Sequence, residues 1–386
     1  MKKKQFLKAL HKNKIFLTCS FAPSLVLFRY RLLQEFRERG YFVTAAAPDF
    51  PEKVQKQLEN NGIQTLVAPL SRTGINPLSD FGFLNHIRNA LLIERPEIFF
   101  AYTVKPVIYG MIGAWLARVP NRYAMITGLG YAFGKNSAKQ QLIGIFVRFL
   151  YSFALKKAHC VFFQNHDDRN LFVKLGIVKF ENTAMVNGSG IDLQQFQFTK
   201  LPATPLVFLM VARLLKAKGV VEYLKAAAAA SAKINKAKWL LVGPIDEGNP
   251  DGITKVELDQ MLQGSPVEHI GWTDDVRSYL EDCHIYVLPS YREGLPRSVL
   301  EAMAVGRPIL TTDVPGCRET VIEGENGVLV PAMHSGALAD AMVSMATDQA
   351  ALYRMGVRSR QIAEEKFDAK HIAEKMADAM GIKEID

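Results

Sequence analysis

Ile285-Tyr286-Val287-Leu288-Pro289-Ser290-Tyr291-Arg292-Glu293-Gly294-Leu295-Pro296-Arg297-Ser298-Val299-Leu300-Glu301 passes from an apolar run, through a polar loop, into a helical pattern. Four apolar residues stopped by a proline read as a buried strand leaving a sheet. Pro296 fits the first position of the helix, where its missing N–H belongs to a group without an intrahelical partner and its ring pre-sets φ. The helix start around Gly294, Leu295 and Pro296 then offers free N–H groups, a setting that favours an anion such as a diphosphate. Glu293 stands just before the helix and Glu301 one to two turns inside it, at most roughly 12 Å apart on the helical rise. Ionised carboxylates only accept hydrogen bonds, and sugar hydroxyls donate them. A ligand with a hydroxyl-bearing ring at each end of a diphosphate suits this arrangement, and a sugar nucleotide has that layout. Two acids eight residues apart, taken alone, also fit an ordinary solvent-facing helix.

Comparable short runs occur at 15–19, 43–47, 65–68, 98–101, 123–127, 160–163 and 184–186, with helical stretches at 25–39 and 54–61 closed by Gly40 and Gly62. Apolar runs alternating with glycine-ended helices mark a parallel sheet wound with helices. The pattern restarts near residue 195, after a loop with Thr199, Pro202, Thr204 and Pro205, and continues with runs at 207–211, 239–242, 267–270, 285–288, 309–312 and 327–330. A helix over 220–234 contains Ala226-Ala227-Ala228-Ala229-Ala230, which has the highest helix propensity and is expected to pack closely on the sheet. The fold class is α/β, and 386 residues suffice for two domains with a core each.

The first strand of the second half runs into Ala212-Arg213-Leu214-Leu215-Lys216-Ala217-Lys218-Gly219. Strand ends in such sheets face the ligand crevice. Arg213, through its planar fork, and Lys218, as a compact charge, can reach one diphosphate there.

Lys and Arg number 47 against 38 Asp and Glu, a net charge of +9, which favours anionic partners. The densest basic segment is the start of the chain, with Lys2, Lys3, Lys4, Lys8, Lys12 and Lys14 and with Phe6, Leu7 and Leu10 interleaved. It suits either a solvated tail or a segment lying on anionic lipid. The following apolar run is broken by Pro23 and closed by Arg29 and Arg31, so it does not read as a signal peptide. No uncharged apolar stretch is long enough to span a bilayer; the nearest, 142–155, is interrupted by Arg148 and reads first as a buried or half-buried helix and second as a membrane-facing surface. The chain is expected to be soluble or peripheral. Cys19, Cys160, Cys283 and Cys317 show no paired spacing and read as buried thiols in a reducing compartment. Scattered histidines give no metal site.

Several motifs are missing. There is no Walker A loop, no D-x-D, no G-x-S-x-G elbow, and Gly128, Gly130 and Gly134 have the wrong spacing for a dinucleotide fingerprint. Any diphosphate must therefore be met by side chains and helix ends, with no metal.

The ensemble of these stretches resembles the retaining glycosyltransferases of family 4, over nearly the whole length. The specific block comprises Leu288-Pro289-Ser290, the Glu293/Glu301 stretch, Gly306-Arg307-Pro308-Ile309, Thr312-Asp313 and Gly324-Glu325-Asn326-Gly327-Val328-Leu329-Val330. Gly271-Trp272-Thr273-Asp274-Asp275 and Asn187-Gly188-Ser189-Gly190-Ile191-Asp192 also match that family. The resemblance implies a GT-B fold: two Rossmann-like domains facing a central cleft, residues 1–195 for the acceptor and 196–365 for the nucleotide sugar, with 366–386 crossing back to the first. It assigns Arg213 and Lys218 to the donor diphosphate, Glu293 to the donor sugar and Glu301 to the ribose, with the base near Gly271, Trp272 and Thr273.

Ile126-Thr127-Gly128-Leu129-Gly130-Tyr131, Gln164-Asn165-His166-Asp167-Asp168 and Thr103-Val104-Lys105-Pro106 look most like bacterial enzymes that extend polyprenyl-diphosphate-linked sugars. Many relatives carry a histidine where this chain has Tyr102-Thr103, so Thr103 and Lys105 carry over as contacts to acceptor or phosphate, with loop stabilisation as the alternative. The implied activity moves a hexose or N-acetylhexosamine from a UDP-sugar to a lipid-linked saccharide, at the inner face of the cytoplasmic membrane, without cofactor, metal or nucleic acid. A sugar-nucleotide epimerase or phosphorylase on the same fold, or a non-catalytic anion-binding scaffold, are the alternatives.

Overall fold

The computed structural model describes residues 13–71, 76–129, 138–203 and 205–385, with the side chains of 138–142 excepted. The lysines of the first twelve residues and the glycine-rich stretch from Gly130 to Gly134 lie outside the described residues, and so does Thr204. Two compact units are present: described residues up to Ser189 together with those from Ala369 on, and Gly190–Asp368.

The first unit is built on β1 (Lys14–Thr18), β2 (Phe42–Ala47), β3 (Ile63–Val67), β4 (Ile98–Tyr102), β5 (Asn121–Ile126), β6 (Cys160–Phe163) and β7 (Thr183–Met185), in the order β3-β2-β1-β4-β5-β6-β7. The second uses β8 (Val207–Val211), β9 (Lys238–Val242), β10 (Val267–Gly271), β11 (Ile285–Leu288), β12 (Ile309–Thr312) and β13 (Gly327–Val330), in the order β10-β9-β8-β11-β12-β13. Pairing is parallel throughout both sheets. Each apolar run named in the sequence forms one of these strands. Strands such as β4 and β11 are buried along their whole length, which is why they read as unbroken apolar runs.

Strand order reverses between β1 and β4 in one unit and between β8 and β11 in the other. Parallel sheets bind ligands at that switch point, outside the carboxyl ends of the strands. The loops after β8 and β11 are those that carry Arg213, Lys218 and Glu293.

The alanine-rich helix is Val220–Ser231, shorter than expected, with Ala226, Ala227 and Ala230 buried. Its small residues also admit a second helix, Ser335–Ala346, as a close neighbour, so the alanines serve helix-on-helix packing as well as the sheet. The terminal helix Ala369–Ala379 packs on the helix Pro23–Glu38, where Ile372, Met376, Met380 and Ile382 join the core on that face of the first sheet. Tyr123 donates to the Met380 carbonyl at 2.7 Å, and Arg39 pairs with Asp378 at 2.6 Å. Cys19, Cys283 and Cys317 are buried and Cys160 is half-buried, all as free thiols.

Candidate active site

β11 ends where Pro289 removes a backbone donor, and the chain turns through Ser290 and Tyr291 to Glu293. Tyr291 N–H donates to the Ala217 carbonyl at 2.8 Å, tying this loop to the one that leaves β8. Lys218 Nζ meets Glu293 Oε1 at 2.5 Å, and Ser290 Oγ donates to the same oxygen at 2.8 Å. Glu293 is thus held by two side chains. Its own N–H donates to the Pro315 carbonyl at 3.0 Å.

Two glycines make this approach possible. Gly219 has φ +75°, and a Cβ there would lie 2.0 Å from the Pro289 carbonyl oxygen. Gly316 has φ +84°, and a Cβ there would lie 2.5 Å from the Glu293 carbonyl oxygen. Both positions combine a left-handed backbone with contact against another loop's backbone, so glycine alone fits.

The helix after the loop is Arg297–Val305. Pro296 is its N-cap, with φ −75° and ψ 108°, rather than its first residue. This corrects the sequence expectation: the extended ψ keeps Pro296 outside the helix, and the turn begins one residue later. The cap supplies no side-chain hydrogen bond to the first N–H groups. Leu295 packs against the core and fixes the entry of the chain.

Glu301 lies on the second turn and accepts from Arg297 Nε at 2.8 Å across one helical turn. Only 13 % of its side chain is exposed. Burial raises its carboxyl above the ordinary carboxylate value, while Arg297 pulls the other way. Tyr286, on β11, donates to the Val211 carbonyl at the end of β8 at 3.1 Å, clamping the two switch-point strands beneath Glu301.

Arg213 is half-exposed just past β8 and pairs with Asp246 at 2.9 Å. Gly271 closes β10, Trp272 is 66 % exposed, and Thr273 Oγ1 accepts from the Asp275 N–H at 3.2 Å. All these residues sit at the carboxyl end of the second sheet.

Thr103 and Lys105 belong to the first unit. Thr103 follows β4 with φ +69°, a strained conformation for a β-branched residue, and its Oγ1 accepts from the Ser20 N–H at 3.1 Å, joining the loops after β1 and β4. Lys105 Nζ is paired at 2.7 Å with Asp80, a buried carboxylate. Burial and the same carboxylate push Tyr109 up to about 12.

Residues 192–378 match the family described as glycosyl transferases group 1, and residues 28–188 match the glycosyl transferase 4-like domain. This chain belongs to the glycosyl transferases. This glycosyltransferase is 27 % identical, over 91 % of its length and 94 % of the relative's, to the N,N'-diacetylbacillosaminyl-diphospho-undecaprenol alpha-1,3-N-acetylgalactosaminyltransferase of Campylobacter jejuni. It is 24 % identical, over 75 % of its length and 76 % of the relative's, to the UDP-Gal:alpha-D-GlcNAc-diphosphoundecaprenol alpha-1,3-galactosyltransferase of Escherichia coli. The crystal structure of Anabaena HepE in complex with UDP-glucose shares its GT-B fold, with a TM-score of 0.77 and 18 % identity over 95 % of this chain and 99 % of that one.

Sequence reasoning missed Ser290, Tyr291, Glu222 and Asp246. Tyr291 Oη donates to Glu222 Oε1 at 2.8 Å, tying the β11 loop to the helix Val220–Ser231 as well. Ser290 was open to inference, since a serine three residues before an acid in a strand-exit loop commonly bonds locally. Asp246 stands past the end of β9, the same edge as Arg213, and its acidity was the available signal. Among the described residues, no group of three His, Cys, Asp or Glu is placed to hold a metal ion, and no helix is long and apolar enough to cross a membrane.

Proposed function

We propose that the protein transfers a hexose or N-acetylhexosamine from a UDP-sugar to a polyprenyl-diphosphate-linked saccharide, with retained anomeric configuration and no metal ion. The observation that carries the reading is the convergence of Lys218, Glu293 and the start of the helix Arg297–Val305 at the switch point of the second sheet. Both named relatives act on diphospho-undecaprenol-linked sugars, one of them with UDP-galactose, which supports the donor and acceptor classes.

In this reading the donor diphosphate lies at the helix start between Lys218 and Arg213, which leaves Asp246 to accompany it. Glu293 accepts from hydroxyls of the donor sugar and Glu301 from those of the ribose, while the base rests near Gly271, Trp272 and Thr273. Gly294, Leu295 and Pro296 shape the turn that brings backbone N–H groups to the phosphates. As the bond from the anomeric carbon to the diphosphate breaks, the electron pair leaves with UDP. Lys218, Arg213 and the helix N-terminus stabilise that charge where it forms. The acceptor oxygen attacks from the face the diphosphate vacates, and its proton passes to a phosphate oxygen of the leaving group. Glu293 has the role here of accepting from the sugar, with Lys218 and Ser290 held on its Oε1. Thr103 and Lys105 stand at the corresponding edge of the first unit as acceptor-side residues, Lys105 acting through its pair with Asp80. In this reading the reaction takes place at the inner face of the cytoplasmic membrane, with the protein peripheral; a lipid-linked acceptor supports that location.

The test is UDP release from a panel of UDP-sugars with polyprenyl-diphosphate saccharides as acceptors, followed by NMR of the product's anomeric proton, in buffer with a chelator. Acceptor-dependent release and a linkage of the donor's own configuration are expected. An inverted linkage, or a chelator-abolished reaction, would remove the corresponding part of the reading. Conversion of the donor sugar without UDP release would favour the epimerase.

A further inference from the structure

The helix Ala138–Leu155 is half-buried, one of the two readings its sequence allowed first. Its inner face, with Val147, Leu150, Tyr151, Ala154 and Leu155, packs on the first sheet. Its outer face is equally apolar: Ile145 is 58 % exposed, Phe146 50 % and Phe149 66 %, with Phe153 beside them. Spacings of one, four and eight residues from Ile145 put these side chains on one stripe. Trp115 and Leu116, at the end of the helix Met111–Leu116, are exposed next to it, and the Trp115 and Phe153 rings meet edge-on at 6.2 Å. Lys157 Nζ lies 4.5 Å from the Trp115 ring centre and 5.4 Å from that of Phe153.

We propose that this surface seats the protein on the headgroup boundary of an anionic lipid bilayer. The inference deepens the reading of a lipid-linked acceptor and rests on it for its purpose, though not for its evidence. The charge pattern selects the occupant. Between Glu97 and Asp167 the chain has no acid and eight Lys or Arg, among them Arg118, Arg148, Lys156 and Lys157 around the aromatic stripe. A second copy of the same surface would bring like charges together, whereas anionic headgroups complement them. Trp with Phe and flanking Lys is the composition of a helix lying in the interface plane, its rings among the acyl chains and its cations at headgroup level. Among the described residues no helix is long and apolar enough to cross a membrane, so the proposal has this helix lying on it.

The full-length protein and the double variant Phe146→Ser/Phe149→Ser are compared by flotation with phosphatidylglycerol/phosphatidylethanolamine vesicles and with neutral phosphatidylcholine vesicles. Wild type should float with the anionic vesicles, less so in high salt, and the variant should partition on the order of a hundredfold less. Because both rings are exposed, its melting temperature and its rate on a short-chain, water-soluble acceptor should stay at the wild-type level. Unchanged vesicle binding by the variant would overturn the proposal and move lipid contact elsewhere, the N-terminal lysines included. So would a dimer in sedimentation that the variant disperses without any vesicle effect. Vesicle binding lost in the variant, with no transfer from any UDP-sugar by wild type, would support this surface and refute the proposed reaction.

Discussion

Glu301 is a buried acid whose titration can test its proposed contact with the ribose. Its carboxyl is raised by burial, so as pH falls it takes up a proton earlier than an exposed glutamate would. Only the ionised form accepts hydrogen bonds from both hydroxyls of a ribose. UDP affinity should therefore weaken with falling pH from above the ordinary carboxylate range, and Glu301→Gln should flatten that limb. Removal of the cation that opposes the rise, in Arg297→Gln, should move the limb to still higher pH. Calorimetric titration of UDP across pH reads both effects; a limb unaffected by either substitution would take Glu301 out of the site. Lys105 illustrates what a residue list conceals. Its partner Asp80 lies 25 residues earlier on another element, and no local pattern connects them.

At the scale of elements, the two loops that carry the site are joined by backbone contact, and Gly219 is where they touch. Gly219→Ala must bear a left-handed φ and a collision with the Pro289 carbonyl. The cost is about 2–3 kcal/mol from strain and overpacking. Because Lys218 is the preceding residue, the same change should move the ammonium off Glu293 and lower kcat more than it raises the KM for donor. A kinetic comparison with a melting curve checks this; wild-type kcat with lowered stability would separate the loop contact from catalysis. Strands such as β4 and β11 were legible because they are buried along their whole length and read as uninterrupted apolar runs, β11 stopped by Pro289. Helix starts were less so. Proline is tolerated both as cap and as first residue, and only the observed ψ distinguished the two at Pro296. For the stretch 142–155 the sequence left a buried or half-buried helix and a membrane-facing surface both open, since an apolar stripe turned to a membrane and one turned to a core have the same period.

For the molecule as a whole, the sequence placed Lys218 and Glu293 at two strand ends, but their pairing across 75 residues is a product of the strand order β8-β11. The terminal helix depends on topology in the same way, because Ile372, Met376 and Met380 find their core only on the first sheet. Met376→Ala should cost about 2–4 kcal/mol of stability, read by chemical denaturation, with the donor affinity of the second unit little changed. A loss of less than about 0.5 kcal/mol would show that this helix is not part of that core. The proposed reaction requires that Arg213 and Lys218 hold the diphosphate of a UDP-sugar at the switch point of the second sheet. Calorimetry of UDP with wild type and with Arg213→Ala/Lys218→Ala reads that contact itself. Saturable binding by wild type is expected, with at least a hundredfold weaker binding by the double variant, about 3 kcal/mol on the scale of one strong charge contact. Equal affinity in the two proteins, or no uptake of UDP by wild type, would contradict it.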